Sequence, residues 1–132
     1  MSDDARGKGF VPGKHLIDGY GRGGFRFADM SHQGSLLALP SGIYAWPVTK
    51  FEEVTTADFA RVLQECDQID TLLIGSGETM AVLPKPLYWF LKDGKLSIDV
   101  MNTGAAARIY NIMKSENRRV AAALIAVNKQ GS

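Results

Sequence analysis

The sequence predicts an α/β fold with a β-rich N-terminal third and an α/β C-terminal half. In the N-terminal third, short apolar or alternating segments are separated by glycines and prolines, as is typical of antiparallel strands. In the C-terminal half, apolar runs alternate with segments of helical spacing. The run 120–127 has eight consecutive apolar residues and indicates a strand buried on both faces at the centre of a sheet.

Length and composition predict one globular domain. The 132 residues can form one substantial core, so we expect residues 10–132 to be a single domain that follows a flexible arm over residues 1–9. Fifteen Lys and Arg against fourteen Asp and Glu give a net charge of +1. Proteins that neutralise many phosphates carry a basic excess, so nucleic acid is not an expected partner.

The N-terminus and the cysteine content favour a cytoplasmic protein. The chain opens with the acidic segment Met1-Ser2-Asp3-Asp4, whereas a secretory signal has a basic start and an apolar core. The longest apolar run has eight residues, and a membrane-spanning helix needs about 20. We therefore expect association with a membrane complex only through a partner. A single cysteine fits a reducing compartment.

The first two predicted strands, over 15–20 and 25–28, flank a glycine-rich segment. Residues 19–24 match the letters of the dinucleotide fingerprint G-x-G-x-x-G. That fingerprint requires a helix to open at its last glycine, because the helix N-terminus holds the pyrophosphate. Here a strand follows, so we interpret the glycines as a turn between two strands.

Two further strands are predicted over 34–40 and 43–48, the second carrying Trp46. The loop before them contains the potentially catalytic trio Asp29, Ser31 and His32. Catalytic triads are assembled in space from separate segments, so closeness in sequence is weak support. We favour turn-forming roles for these residues.

A helix is predicted to begin at Thr55, which forms a capping box with Asp58. Its apolar stripe places Cys66 in the core, where a thiol without a neighbouring histidine is inert. The stripe comprises Phe59, Val62, Leu63 and Cys66.

The next strand, 71–74, delivers a polar loop to the C-terminal edge of the sheet, where ligands of open α/β sheets bind. Ser76, Glu78 and Thr79 are therefore candidate site residues. The loop lacks the G-x-x-x-x-G-K-[ST] spacing of a phosphate cradle. A tight turn plus a helix cap is the alternative interpretation, which we favour.

A helix begins near Pro84 and Pro86 and ends at Gly94. Trp89 lies off its apolar stripe and, with Trp46, is a candidate protein contact, because aromatic residues are common at interface centres. Packing of Trp89 under a neighbouring loop is the alternative.

The last predicted helix follows the strand 96–101 and is capped by Asn102 or Thr103. The N-terminus of this helix, beside Gly104, could hold a carboxylate or phosphate with help from Arg108. Alternatively, Thr103 satisfies those donors itself and Arg108 pairs with a carboxylate such as Glu78 or Asp99. The residues predicted to face inward are Ala105, Ile109, Ile112 and Met113.

Arg118 and Arg119 directly precede the last predicted strand. They are predicted either to pair with Glu116 or to form a contact patch for a partner. No segment supplies a complete set of catalytic residues or metal ligands, and we expect no cofactor.

Several segments together carry a family resemblance that covers nearly all of the chain beyond residue 14. They are Ile17-Asp18-Gly19-Tyr20-Gly21, Gly23-Gly24-Phe25-Arg26-Phe27, His32-Gln33-Gly34-Ser35-Leu36, Leu39-Pro40 with Trp46, Leu73-Ile74-Gly75-Ser76-Gly77, and residues 103–125. With these segments the chain resembles the family of small, poorly characterised α/β proteins whose mitochondrial member is an assembly factor of respiratory complex I. Ser76 and Ile109 depart from the family pattern, in which threonine is usual.

The resemblance implies a three-layer fold with a mixed central sheet and no established catalytic residues. It favours a non-enzymatic, protein-binding assembly or stability factor linked to respiratory complexes, and a homodimer is left open. The alternative is a small-molecule or anion-binding protein, or an enzyme, that uses the C-terminal edge of the sheet. A binding factor should expose an aromatic patch, whereas the alternative should bring Glu78 and Arg108 together at a deep cavity.

Overall fold

The computed structural model describes residues 9–129 and forms two β-sheets with helices. The predicted arm lies outside the described residues except for Gly9. The strands are β1 (Phe10–Pro12), β2 (Gly19–Gly21), β3 (Gly24–Phe27), β4 (Met30–Gln33), β5 (Ser35–Leu39), β6 (Gly42–Trp46), β7 (Thr71–Gly75), β8 (Ser97–Met101) and β9 (Val120–Leu124). The α-helices are α1 (Ala60–Gln64), α2 (Lys85–Lys92) and α3 (Thr103–Ser115), and short 3₁₀ helices span Phe51–Glu53, Thr56–Phe59 and Cys66–Gln68.

The larger sheet has six strands in the order β1, β6, β5, β9, β7, β8. β9 pairs antiparallel with β5 and parallel with β7, so the sheet is mixed. All five residues of β9 are buried, and its three alanines let both neighbouring layers approach closely. The prediction of a central strand buried on both faces is confirmed.

The smaller sheet is the antiparallel meander β2, β3, β4. The glycine-rich segment forms the turn between β2 and β3, with positive φ at Arg22 and Gly23, which confirms that it is not a dinucleotide loop. The predicted strand over 15–20 is corrected, because regular pairing begins only at Gly19.

The strand β4 was missed by sequence analysis. Ser31 and His32, predicted in a loop, pair with Arg26 and Phe25 across the sheet. The tight turn before β4 has positive φ at both Ala28 and Asp29. The segment Met30–Gln33 is mostly polar because one of its faces is exposed and its inner face carries only Met30 and His32, so it lacks a strong strand pattern.

The large sheet lies between two layers, which confirms the three-layer α/β architecture. Its first face packs against α1, α2 and the 3₁₀ helices, in a core that includes Phe59, Leu72, Leu91 and Ala123. Its second face packs against α3 and the small sheet, in a core that includes Phe25, Phe27, Leu73, Tyr110 and Ala122.

The buried face of α3 differs from the prediction. Ile109 and Ile112 are 36% and 53% exposed rather than inward-facing. The helix packs directly on β7 and β9, and small side chains permit this close approach. The buried residues, at helical spacing, are Thr103, Ala106, Ala107 and Tyr110.

The capping box at Thr55 is confirmed, since the Asp58 carboxylate accepts a hydrogen bond from the Thr55 N–H at 2.8 Å. The chain first forms the 3₁₀ turn Thr56–Phe59 and then α1. Because α1 ends at Gln64, Cys66 lies in the next 3₁₀ turn and is only partly buried against the core.

Candidate functional site

Ser76 closes the loop after β7. Its side chain is 7% exposed, and its Oγ donates to the Thr79 carbonyl at 2.8 Å. The same Oγ accepts a hydrogen bond from the Ala81 N–H at 3.1 Å. Both hydrogen-bonding functions of the hydroxyl are thus used within the fold, which matches the interpretation of this segment as a tight turn.

Thr103 is fully buried and connects three segments at the edge of the sheet. Its Oγ1 donates to the Ile125 carbonyl at 2.7 Å and accepts from the Gly77 N–H at 3.0 Å. Asn102 is the cap of α3, because its Oδ1 accepts from the Ala105 N–H at 2.8 Å. The choice between Asn102 and Thr103 as cap is therefore resolved in favour of Asn102.

The N-terminal turn of α3 is covered by Tyr20. A Cβ at Gly104 would overlap the Tyr20 hydroxyl and lie 2.8 Å from its Cζ, so any larger residue here requires the Tyr20 ring to move. The Gly104 N–H has no acceptor within residues 9–129. A cavity of about 200 Å³ opens beside it, lined also by Glu78 and Lys129.

Glu78 and Arg108 do not converge. Glu78 Oε2 accepts hydrogen bonds from the N–H groups of Asn128 and Lys129, at 2.9 and 3.2 Å. Arg108 instead lines a different cavity of about 150 Å³, between α3 and the segment that leads into β2. Over residues 9–129, Arg108 forms an ion pair with neither Glu78 nor Asp99.

The two C-terminal arginines differ in their contacts. Arg119 Nε lies 3.5 Å from Asp70 Oδ1, and its Nη2 donates to the Asp67 carbonyl. The predicted pairing with Glu116 is therefore wrong for Arg119. Arg118 is exposed and forms no ion pair within the described part of the chain.

The two tryptophans have opposite environments. Trp46 is 4% exposed, and its Nε1 donates to the Asp58 carbonyl at 2.8 Å, so it belongs to the core and not to a contact surface. Trp89 is 64% exposed on α2. Its ring meets that of Tyr88 edge to face, with centroids 5.2 Å apart.

A wider cavity of about 840 Å³ lies over the outer face of the small sheet. Phe25 and Phe27 point into the core, so Arg26 between them points outward. Arg26 stands opposite Gly19 on one side and Ser31 on the other. This face was not predicted from the sequence, although glycines at 19, 21 and 24 are a sign of close backbone approach within strands.

Tyr20 is the residue common to the three cavities described above. The candidate ligand residues thus separate into two groups. Ser76 and Thr103 are engaged inside the fold, as described, whereas Glu78, Asn102, Gly104 and Arg108 line open surfaces around Tyr20. Thr79 is exposed on the adjoining loop.

The histidines of the described segment contact main-chain carbonyls. His32 Nε2 lies 3.0 Å from the Ser35 oxygen, and His15 Nε2 lies 2.9 Å from the Pro12 oxygen. The predicted turn role holds for Asp29, which has a positive φ, but is wrong for Ser31 and His32, which pair within β4. The arrangement around Tyr20 offers cationic side chains and main-chain donors on open surfaces.

None of the helices formed by residues 9–129 has the length and apolar character to cross a membrane.

Comparison with known proteins identifies relatives over most of the chain. An uncharacterized protein of Rhodobacter capsulatus is 41% identical over 109 residues, which cover 83% of this chain and 82% of the relative. The NADH dehydrogenase [ubiquinone] 1 alpha subcomplex assembly factor 3 of Drosophila melanogaster is 31% identical over 113 residues. That match covers 83% of this chain but 58% of the assembly factor, so the chain spans less than two thirds of that relative.

A solved structure has the same fold. The crystal structure of an outer membrane protein from Bartonella henselae superimposes with a TM-score of 0.85 at 50% identity, covering 89% of this chain and 98% of that one. A family model described as "Protein of unknown function (DUF498/DUF598)" matches residues 17–125. The chain therefore belongs to the DUF498/DUF598 family.

Proposed function

We propose that this protein is a non-enzymatic assembly factor that binds a protein component of respiratory complex I. The observation that carries the proposal is the exposed aromatic pair Tyr88 and Trp89 on α2. An exposed tryptophan loses contact with water when a partner covers it, and tryptophan and tyrosine dominate the binding energy of many interfaces.

The opposite side of α2 holds the helix in place. Leu87 and Leu91 are buried in the core at 5% and 0% exposure, so the exposed rings project from an anchored helix. The segment before α2 adds the exposed side chains of Met80 and Val82. An aromatic pair on a rigid element loses little conformational entropy on binding, which favours a specific contact.

The kind of partner is suggested by the relatives. Assembly factors from several animals each match 83% of this chain, among them the Drosophila protein at 31% identity and the human protein at 24% identity. Because the chain spans only 58% to 59% of these two proteins, the partner and the assembly step are proposals for this chain. The cytoplasmic location predicted from the sequence is likewise a proposal.

The test is affinity purification of the tagged protein from its native cells, compared with a Trp89→Ala variant. Wild type should recover complex I subunits or their assembly intermediates, and Trp89→Ala should recover several-fold less because the aromatic contact is lost. Ile109→Ala is the control, since Ile109 is an exposed apolar residue on α3, which packs on the face of the large sheet opposite α2, and it lines none of the cavities around Tyr20.

A second readout measures the assembled complex. Cells that lack the protein should contain less complex I on native gels, and wild type and Ile109→Ala, but not Trp89→Ala, should restore it. Recovery of no protein partner alongside a co-purifying metabolite, or full restoration by Trp89→Ala, would contradict the proposal.

A further inference from the structure

We infer that the surface around Tyr20 binds an acidic segment of a protein partner. This inference rests on the proposed function only in that the occupant is a protein. It concerns a surface on the layer opposite α2, because β2 belongs to the small sheet whereas α2 packs on the other face of the large sheet. The three cavities lined in part by Tyr20 are called the Tyr20 surface.

The three cavities adjoin at β2, because Tyr20 lines all of them and Gly19 lines two of them. The cavity of about 840 Å³ covers the small sheet, that of about 200 Å³ lies at the N-terminus of α3, and that of about 150 Å³ lies beside Arg108. They lie on the two sides of β2, the edge strand of the small sheet, so the path of an extended segment across this edge borders all three.

Positive charge is concentrated along this path. Four of the chain's fifteen Lys and Arg line it, against two of its fourteen Asp and Glu. The local excess stands out because the whole chain has a net charge of only +1. The lining charges are Arg22, Arg26, Arg108, Lys129, Asp18 and Glu78.

The three arginines of this surface lack ion-pair partners among the described residues. Over residues 9–129, Arg22, Arg26 and Arg108 form no ion pair, whereas Arg119 elsewhere pairs with Asp70. Glu78 Oε2 is already engaged by main-chain N–H groups. Carboxylates of a partner would supply charge-assisted hydrogen bonds that the fold itself leaves unmade.

Backbone shape adds a reason to expect a polypeptide. Gly19 and Gly21 of β2 add no side chains to the outer face of the small sheet, where the exposed side chains are Arg26, Ser31 and Gln33. An extended chain can therefore lie close to this face while its acidic side chains reach the guanidinium groups.

Four cations are few for a nucleic acid, whose binding proteins contact many phosphates.

The test is fluorescence anisotropy with a labelled octaglutamate peptide and an octaglutamine peptide of equal length. Wild type should bind the glutamate peptide, more weakly as salt concentration rises, and should not bind the glutamine peptide. Arg22→Gln with Arg26→Gln should weaken glutamate binding by about tenfold, as expected for losing two charge contacts.

The matched control removes two positive charges elsewhere. Lys50 and Lys85 are exposed and line none of the three cavities, so Lys50→Gln with Lys85→Gln should keep affinity within about twofold. Equal loss in both double variants would mean that only net charge matters and would overturn the inference. Equal binding of the two peptides, or tighter binding of a single-stranded oligonucleotide of the same charge, would also overturn it.

The same variants separate this inference from the proposed function. If purification from native cells recovers the partner equally with wild type and with the Arg22→Gln, Arg26→Gln variant, the Tyr20 surface is not the docking site, although an assembly role stands. If no protein partner is recovered while the octaglutamate peptide still binds specifically, the proposed function fails and the acidic-segment site remains supported.

Discussion

The side-chain amide of Asn111 pairs with the main chain of Ile17 as a neighbouring strand would. Asn111 Nδ2 donates to the Ile17 carbonyl at 2.7 Å, and its Oδ1 accepts from the Ile17 N–H at 2.8 Å. The two residues lie 94 positions apart. This pair therefore joins α3 directly to the segment that enters the small sheet, and it positions one wall of the Tyr20 surface.

Asn111→Ala should lower the free energy of unfolding by about 2 kcal/mol, because two part-buried hydrogen bonds are lost and the Ile17 groups stay unpaired. Chemical denaturation measures the change. Gln64→Ala, at the exposed end of α1, is the control and should change stability by less than about 0.5 kcal/mol. Equal effects of the two variants would show that the Asn111 pairing is energetically unimportant.

Thr103→Val should be more destabilising than Thr103→Ser. Valine keeps the shape but leaves the Ile125 carbonyl and the Gly77 N–H without their partner, at a cost of about 2 kcal/mol. Serine keeps the hydroxyl and loses one buried methyl group, at a cost of about 1 kcal/mol. Urea denaturation of both variants tests the order, and the reverse order would show that packing outweighs these hydrogen bonds.

Gly104→Ala should destabilise the wild type and stabilise a Tyr20→Ala background. In the wild type the new methyl group displaces the Tyr20 ring. With the ring removed, alanine is the better helix residue by up to about 1 kcal/mol. A double-mutant cycle in thermal or chemical denaturation gives the coupling energy, and additive effects would contradict the contact.

Tyr110 should make stability fall at high pH. Burial raises the pKa of Tyr110 from 10.0 to about 12, so the folded protein holds this proton more tightly than the unfolded chain does. The contribution is complete below pH 10 and is lost as the pH rises to about 12, by roughly 2 to 3 kcal/mol.

Tyr110→Phe should remove that part of the pH dependence. At neutral pH it should keep stability within about 1 kcal/mol, because the hydroxyl makes no hydrogen bond within residues 9–129. Denaturation at pH 7, 10 and 11.5 measures both effects, with the exposed Tyr88→Phe as control. A steep pH slope retained in Tyr110→Phe would refute the assignment.

The pattern of apolar residues predicted an element correctly where burial on both faces determines that element. β9 is apolar throughout because both its faces are covered, and no other element type suits eight apolar residues between two such layers. α3 was harder to orient, because Ile109 and Ile112 offered a more apolar stripe than the small residues that actually face the sheet. Close packing on the sheet requires mostly small side chains on this face of α3, and a hydrophobicity pattern carries no information about side-chain size.

The candidate site was only partly predictable for a related reason. Sequence analysis placed Ser76 and Thr103 at one edge of the sheet, and the structure brings their loops together. Their hydrogen-bond partners are mostly main-chain atoms, such as the Ile125 carbonyl 22 residues from Thr103. Main-chain groups are present in every residue type, so the sequence does not indicate which of them will pair. The contact of Tyr20 with Gly104 likewise depends on tertiary packing between distant segments.

The central position of β9 affects how the chain is made on the ribosome. β9 is the last strand among residues 9–129, yet it joins the antiparallel half of the large sheet, through β5, to the parallel half, through β7. Until residue 124 leaves the exit tunnel, a nascent chain presents two apolar strand edges that lack their shared neighbour. Such edges aggregate readily, so synthesis of this protein depends on rapid completion of the sheet or on chaperones that cover both edges.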